Sequence, residues 1–212
     1  VPLELVEQRT VGPTLGAEAI EASAKAAVVG VILTTLFIVV IYRVVGLLAA
    51  IALASYALIS YAGLVAIGAT LTLPGLAGFV LAIGMAVDAN VLVFERAREE
   101  YRAQPERGLK AAAQRGFQNA WSAIADSNIT TLLAAGLLFW LASGPVKGFG
   151  VTLSIGVLAS LISAMLITRV LVDLIIRKVP VRASGLGSIG RVRTWLTTRN
   201  PNLMARRRVW LG

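Results

Sequence analysis

The sequence has no cysteine, no histidine and few charged residues. Without cysteine, neither a disulfide nor a thiolate metal site can form. Without histidine, the commonest general base and metal ligand are missing. Charged residues make up 15% of the 212 residues, whereas a soluble domain carries about 25%. With 57% hydrophobic residues and a mean hydropathy of +0.80, the composition excludes an ordinary cytosolic enzyme and a disordered chain, and it indicates one membrane domain.

Motifs of soluble enzymes are also missing from the sequence. It contains no P-loop, no GxSxG and no HExxH motif. An ATPase or hydrolase therefore has no local support, and we expect neither an enzyme nor a bound cofactor or metal.

Long apolar runs dominate what the sequence does contain. Runs of about 20 nearly uncharged residues predict transmembrane helices, and five are present: 26–42, 46–71, 75–94, 119–142 and 149–176. They do not alternate apolar with polar residues, as the strands of a membrane barrel do. The predicted fold class is therefore all-α, a polytopic bundle of five transmembrane helices over 26–176. Residues 1–25 are interpreted as the end of an external domain, and 177–212 as a basic cytoplasmic tail.

Basic residues are unevenly distributed between the two predicted sides of the membrane. Arg43, the segment 95–118 and the tail carry most of the Lys and Arg residues, while the N-terminal segment and the two other turns carry few. Because Lys and Arg concentrate on the cytoplasmic side, the N-terminus of this chain is expected outside and its C-terminus inside. The net charge of +9 is then a topology signal, and no nucleic-acid partner is expected.

The two ends suggest that the chain belongs to a larger protein. The polar, acidic residues 1–25 lie outside with no signal peptide before them. Three arginines precede Val209, Trp210 and Leu211, as at the cytoplasmic edge of another span. The alternative is a basic tail that lies on anionic lipid. Both ends, 1–25 and 185–212, are expected to pack poorly without their partners.

Two aspartates stand out within the predicted spans, because a carboxylate at mid-bilayer costs roughly 2.5–3.5 kcal/mol. Asp88 lies about 20 Å from the outer end of the third span, in its cytoplasmic half. It is interpreted as an ion-relay residue or as a packing hydrogen-bond partner. Asp126 shares one helix face with Thr130, while Asn128 points elsewhere. This cluster would either join Asp88 in binding a proton or cation, or hold helices together by hydrogen bonds.

The remaining polar features favour structural interpretations. Residues 95–116 mix both charge signs and predict a solvated surface helix, a break at Pro105 and a second amphipathic helix. Arg169 and Asp173 are i,i+4 neighbours near the cytoplasmic end of the fifth span and predict an ion pair. Small residues in that span, Gly156 among them, predict close helix packing.

Two long runs resemble a known family. TLTLPGLAGFVLAIGMAVDANVLVFERAREE and ADSNITTLLAAGLLFWLASGPVKGFGVTLSIGVLASLISAMLITR are similar to the SecD branch of the SecD/SecF family, in the resistance-nodulation-division superfamily. The resemblance covers about residues 11–180. It implies that the five spans are the second to sixth of six. In this family the aspartate of GMAVDAN, here Asp88, is implicated in ion coupling, and its basic partner is expected from SecF.

The resemblance also implies a function and its partners. The chain would use the proton gradient, or sodium in some relatives, to promote late translocation of secreted proteins. Its partners would be SecF (separate or fused), the SecYEG channel, YajC and unfolded preproteins, in a bacterial or archaeal plasma membrane. The candidate coupling residues are Asp88, Asp126, Asn128 and Thr130.

Two alternatives stay open at this point. One is an exporter of lipids or small hydrophobic molecules, which would favour a second carboxylate beside Asp88, where Ala89 stands. The other is a structural scaffold of the translocon, which would be indifferent to the membrane potential.

Overall fold

The structure, a computed structural model, describes residues 13–69 and 72–187, with side chains from residue 18 onward. Every regular element in these ranges is a helix, which confirms the predicted all-α fold class. In chain order the elements are α1 (Pro13–Ala66), α2 (Leu73–Ala103), a 3₁₀ turn (Pro105–Arg107), α3 (Gly108–Leu141), α4 (Pro145–Ile162), a π-helix (Ser163–Thr168), α5 (Arg169–Ile175), a second 3₁₀ turn (Ile176–Lys178) and α6 (Val181–Ser184).

The chain reverses direction at Arg43, where the two helices that together make up α1 meet. The backbone of this residue has φ 50° and ψ −117°, values outside the helical region. The reversal folds the limb 44–66 back onto the limb 13–42, so that Gly46 packs directly on the backbone of Ile38. A glycine is needed there, because a Cβ would overlap that backbone.

The helices are long enough to cross a membrane. Four helical stretches in the described residues have the necessary length and hydropathy: Glu18–Ala66, Leu73–Ala103, Pro105–Leu141 and Pro145–Lys178. The reversal at Arg43 divides the first stretch into two limbs, which agrees with the five predicted spans. The chain is a multi-pass membrane protein.

Helices α2 and α3 form a long antiparallel pair. The hydroxyl of Thr72 accepts a 3.1 Å hydrogen bond from the Gly75 amide and caps the start of α2. Helix α2 ends at Ala103, nine residues beyond the predicted span. A 3₁₀ turn starts at Pro105, and Gly108 adopts φ 78° as α3 begins. The predicted break at Pro105 is therefore confirmed.

Glycines let α4 approach its neighbours closely. Gly156 packs on Ala82 of α2, and a Cβ built on it would also lie 3.1 Å from the Tyr56 hydroxyl of α1. A Cβ built on Gly150 would lie 2.7 Å from the carbonyl oxygen of Ala135 in α3. Helix α4 thus sits against three helices, and the predicted close packing of Gly156 is confirmed.

The segment after the last span is docked on the bundle. Leu186 is only 1% exposed, and Gly185, with φ 85°, packs on the backbone of Tyr42. The prediction that residues from 185 onward pack poorly was therefore wrong for 185–187. The glycines that disfavour a helix there allow close backbone contact instead. At the other end, residues 18–25 lie in α1 with mostly exposed side chains, as that prediction expects, while residues 1–12 and 188–212 lie outside the described residues.

Candidate functional site

A cavity of about 220 Å³ with both polar and apolar walls lies between α2 and α3. Asp88 lines it from α2, and Ser127, Asn128 and Thr131 line it from α3. Met85, Ala89, Leu92 and Ile124 supply its apolar walls. This volume has room for several water molecules. The cavity therefore gives the carboxylate of Asp88, which is exposed on α2, room for water beside it.

The carboxylate of Asp88 is free within the cavity. Among residues 13–69 and 72–187, Asp88 has no hydrogen-bond or ion-pair partner. The α3 side chains that line the same cavity form hydrogen bonds to backbone carbonyl oxygens of α3 itself. Asn128 Nδ2 donates a 2.7 Å bond to the carbonyl oxygen of Ile124, which leaves its Oδ1 as an acceptor. The hydroxyl of Thr131 donates a 2.9 Å bond to the Ser127 carbonyl oxygen.

Asp126 and Thr130 lie on a different face of α3. Both side chains are exposed, and neither lines the cavity of Asp88. The Thr130 hydroxyl donates a 2.9 Å bond to the backbone carbonyl oxygen of Asp126. Of the four predicted coupling residues, the structure thus brings Asp88 and Asn128 together and places Asp126 and Thr130 outside their cavity.

Two exposed tryptophans indicate how deep the cavity lies. Trp121 is 52% exposed and Trp140 is 81% exposed. They stand 19 residues apart on α3, which corresponds to about 28 Å along the helix. Tryptophan is enriched at both membrane interfaces, and the hydrocarbon core is about 30 Å thick. Asn128 then lies within about 4 Å of the midplane, on the side of Trp121.

A buried hydrogen-bond network links α2 to the π-helix. Thr168 donates a 2.7 Å bond to Asn90 Oδ1, and Asn90 Nδ2 donates a 3.0 Å bond to the carbonyl oxygen of Ala86. Ser163, at the start of the π-helix, donates a 2.6 Å bond to the Ala52 carbonyl oxygen of α1. Asn90 lies two residues after Asp88. The network therefore fixes the part of α2 that carries the free carboxylate.

Arg98 forms a second polar cluster at the end of the bundle where α1 reverses. Its guanidinium donates to the carbonyl oxygens of Gly185 (2.8 Å) and Ile41 (3.0 Å) and to Glu95 (2.7 Å). It also lies 4.4 Å from the ring centroid of Tyr42, whose hydroxyl donates a 2.9 Å bond to Glu95. Arg98 thus joins α2 to the reversal of α1 and to the docked segment 181–187.

The expected Arg169–Asp173 pair is not formed. Asp173 lies 3.0 Å from Lys110 Nζ of α3 and accepts a 3.3 Å bond from Gln114. A cation on α3 is closer to the carboxylate than its i,i+4 neighbour is, because α3 packs along α5 at this level. The exposed Arg169 is left without an ion pair among the described residues.

Sequence reasoning missed Arg98 and Thr168. The sequence pattern predicts a solvated face for Arg98, yet this residue is 5% exposed. Its i,i+3 spacing from Glu95 was the available signal, but Arg96 and Glu99 show the same spacing and are exposed. Thr168 has no local signal, since its partner Asn90 lies 78 residues earlier.

These features define a class of protein: a multi-pass helical membrane protein in which a carboxylate without a partner among the described residues lines a cavity between two spans. The chain belongs to the SecD/SecF family. The family model described as "Protein export membrane protein SecD/SecF, C-terminal" matches residues 2–178.

Relatives agree with this family. The chain is 51% identical over 179 residues to the "Protein translocase subunit SecD" of Synechocystis sp., a match that covers 84% of this chain and 38% of the relative. It is 49% identical over 175 residues to the subunit of the same name in Dictyoglomus turgidum, covering 82% of this chain and 43% of the relative. The chain therefore spans about two fifths of the length of these curated relatives.

A solved structure has the same fold. The "Crystal structure of SecDF in Super-membrane-facing form" superposes with a TM-score of 0.73 and 44% sequence identity. The match covers 84% of this chain and 24% of that one. The helical bundle described above thus corresponds to part of a larger membrane protein.

Proposed function

We propose that this chain is the membrane domain of a SecD-type subunit that uses a proton or sodium gradient to promote late translocation of secreted proteins. The observation that carries the proposal is the free carboxylate of Asp88 in the cavity between α2 and α3. The family and the names of the relatives support the process in which it would act.

The energetics of Asp88 favour cation exchange. A charged carboxylate near the midplane is costly, and no partner among the described residues offsets that cost. Binding a proton or Na⁺ would remove the net charge. The hydroxyl and amide groups of Ser127, Asn128 and Thr131 would solvate the site in both states.

The membrane potential supplies enough free energy to drive a conformational change. Moving one charge across 100 mV yields about 2.3 kcal/mol. That biases a two-state equilibrium by roughly fifty-fold, because about 1.4 kcal/mol corresponds to a factor of ten.

The bundle offers a mechanical connection from the site. Helix α2 carries Asp88, the Asn90 that binds Thr168, and the Arg98 that binds the docked segment 181–187. A shift of α2 on cation binding would therefore move the π-helix and that segment together. We propose that this motion is transmitted to an external domain outside this chain.

The proposed partners follow from the exposure of the site. Asp88, Asp126 and Thr130 are exposed on the described bundle, so a second membrane bundle would cover them, and SecF is the partner we propose. Through it Asp126 and Thr130 would join the relay. The complex would act with SecYEG, YajC and unfolded preproteins, with the C-terminus of this chain in the cytoplasm.

The test is Asp88→Asn in the full protein and complex. This change keeps size and hydrogen bonding but removes the titratable group. We expect membrane insertion and association with SecF to persist, and potential-dependent stimulation of export into membrane vesicles to be lost at matched protein levels. Wild-type stimulation in the Asn variant would remove Asp88 from the mechanism and favour the scaffold alternative.

Two further variants sharpen this experiment. Asp88→Glu keeps a carboxyl group and is expected to retain part of the stimulation. Asp126→Asn removes a second carboxylate, which lies outside the cavity. Loss of stimulation in both Asn variants places both carboxylates in the relay, whereas loss in Asp88→Asn alone restricts the relay to the cavity.

A further inference from the structure

A second groove lies between α3 and the helix that follows α4, away from Asp88. It consists of two adjoining cavities of about 250 Å³ and 400 Å³, both of which are lined by Phe117 and Arg169. Trp121 and Met165 line the larger cavity, and Val170 lines the smaller one. The groove is therefore mainly apolar, and its polar lining consists of Arg169, Asp173, Gln114 and Gln118.

Among the described residues that line this groove, Arg169 is the cation without an ion pair. The nearest acidic side chain on its own helix, Asp173, is held by Lys110 at 3.0 Å and by Gln114 at 3.3 Å. Lys110 balances the carboxylate charge, so the positive charge of Arg169 is left over. Among the described residues Arg169 has no ion pair or hydrogen bond. A guanidinium against apolar walls favours an anionic partner, and it binds phosphate through two parallel hydrogen bonds.

The depth of the groove matches the lipid headgroup boundary. Trp121 lines the groove and marks one membrane interface, with Trp140 at the other. Arg169 lines the same cavity as Trp121 and so lies near that interface. The same end of the bundle carries the basic segment after α2, which predicts the cytoplasmic leaflet, where anionic lipids are found.

We propose that this groove binds an anionic glycerophospholipid of the cytoplasmic leaflet. Its phosphate would pair with Arg169, and an acyl chain would lie along Phe117, Trp121 and Met165. A free phosphate ion would satisfy Arg169 but would leave the apolar walls uncovered, so the lipid is the better match. The site does not depend on ion coupling at Asp88, because it lies in a separate groove.

The experiment is a lipid competition on the full protein. The purified protein in detergent is equilibrated with equal amounts of phosphatidylglycerol and phosphatidylcholine, and the bound lipids are counted by native mass spectrometry. We expect the wild type to prefer phosphatidylglycerol. Arg169→Gln should lower that preference about five-fold, the ratio expected for one cation near an anionic leaflet. Arg169→Lys should restore part of it.

Arg102→Gln is the matched control. Arg102 is exposed at the end of α2, on the same side of the membrane, and does not line the groove. It should keep the wild-type preference. An equal fall in both Gln variants would overturn the site in favour of general surface charge, and a wild type without lipid preference would overturn it outright.

Two other outcomes would assign the groove to another occupant. Displacement of phosphatidylglycerol by inorganic phosphate at constant ionic strength would identify a phosphate-ion site and overturn the lipid site. If Arg169→Gln instead loses a co-purifying membrane subunit while the lipid preference stays unchanged, the groove is a protein contact. Because Arg169 is exposed, all variants should unfold at the wild-type temperature.

Discussion

Thr168 donates a 2.7 Å hydrogen bond to Asn90 Oδ1, and both side chains are buried. The bond joins the end of the π-helix to α2, two residues beyond Asp88. The same hydroxyl lies 3.1 Å from the carbonyl oxygen of Ser163, five residues earlier, as the wider π turn allows. The π-helix thus points Thr168 toward α2, and it is followed directly by Arg169, which lines the groove beside α3.

The first prediction concerns this bond. Thr168→Val keeps the shape of the side chain but leaves Asn90 Oδ1 without its donor. We expect the free energy of unfolding in detergent micelles to fall by about 0.5–1.5 kcal/mol, the range for interhelical hydrogen bonds in membrane proteins. Thr130→Val is the control, because the Thr130 hydroxyl binds only its own helix. Equal stability of the two variants would mean that the Asn90 bond contributes nothing.

The second prediction concerns helix packing. Gly156→Leu forces a side chain against Ala82 and Tyr56. The free energy of unfolding should therefore fall by about 1–3 kcal/mol. Gly30→Leu is the matched control, since a Cβ on Gly30 meets nothing within 4 Å. That variant should be neutral or slightly stabilising, because glycine is a poor helix former. Thermal unfolding of the purified full protein measures both, and comparable losses would argue against the packed face.

The third prediction separates two arginines of α2 that look alike in sequence. Arg98→Gln breaks the cluster with Glu95, Ile41 and Gly185. The free energy of unfolding in detergent micelles should fall by about 3 kcal/mol, the lower end of the range for breaking a buried ion pair. Arg96→Gln removes an exposed ion pair with Glu99, and the same free energy of unfolding should fall by only about 0–1 kcal/mol.

Limited proteolysis provides a second measurement on these variants. Trypsin should cleave after Arg182 faster in Arg98→Gln than in the wild type or in Arg96→Gln, because segment 181–187 loses its anchor on α2. Unchanged cleavage would show that Arg98 does not hold the segment.

The fourth prediction concerns topology. The chain has no cysteine, so single cysteines can be introduced once any others in the full protein are replaced. A cysteine at Pro105 should react with a membrane-impermeant reagent only after the membrane is permeabilised, so that the reagent reaches the cytoplasmic side. A cysteine at Ser143, in the turn between α3 and α4, should react from outside. Labelling of position 105 from outside would reverse the proposed orientation.

Much of the fold was predictable because it rests on local patterns. Apolar runs predict helices wherever they occur, since a backbone in lipid must satisfy its own hydrogen bonds. Pro105 predicts the break after α2, because proline removes a backbone donor. The boundaries were less predictable, since α2 continues to Ala103 with charged residues.

The candidate site was predictable only in part. Asp88 stood out because charge in an apolar run is costly wherever it lies. Whether Asn128 or Asp126 faces it depends on the rotation of α3 against α2, which no residue of either helix fixes alone. The structure turns Asn128 inward and Asp126 outward.

The class of fold and the apolar spans follow from the sequence, since each depends on composition over one helix length, and so does the position of Asp88 within a span. Which polar groups meet depends on how the helices pack. Asp173 pairs with Lys110 instead of Arg169, and Thr168 reaches Asn90 across 78 residues of chain. Such pairs depend on the relative rotation and height of packed helices. These are set by the summed contacts of many small residues such as Gly156.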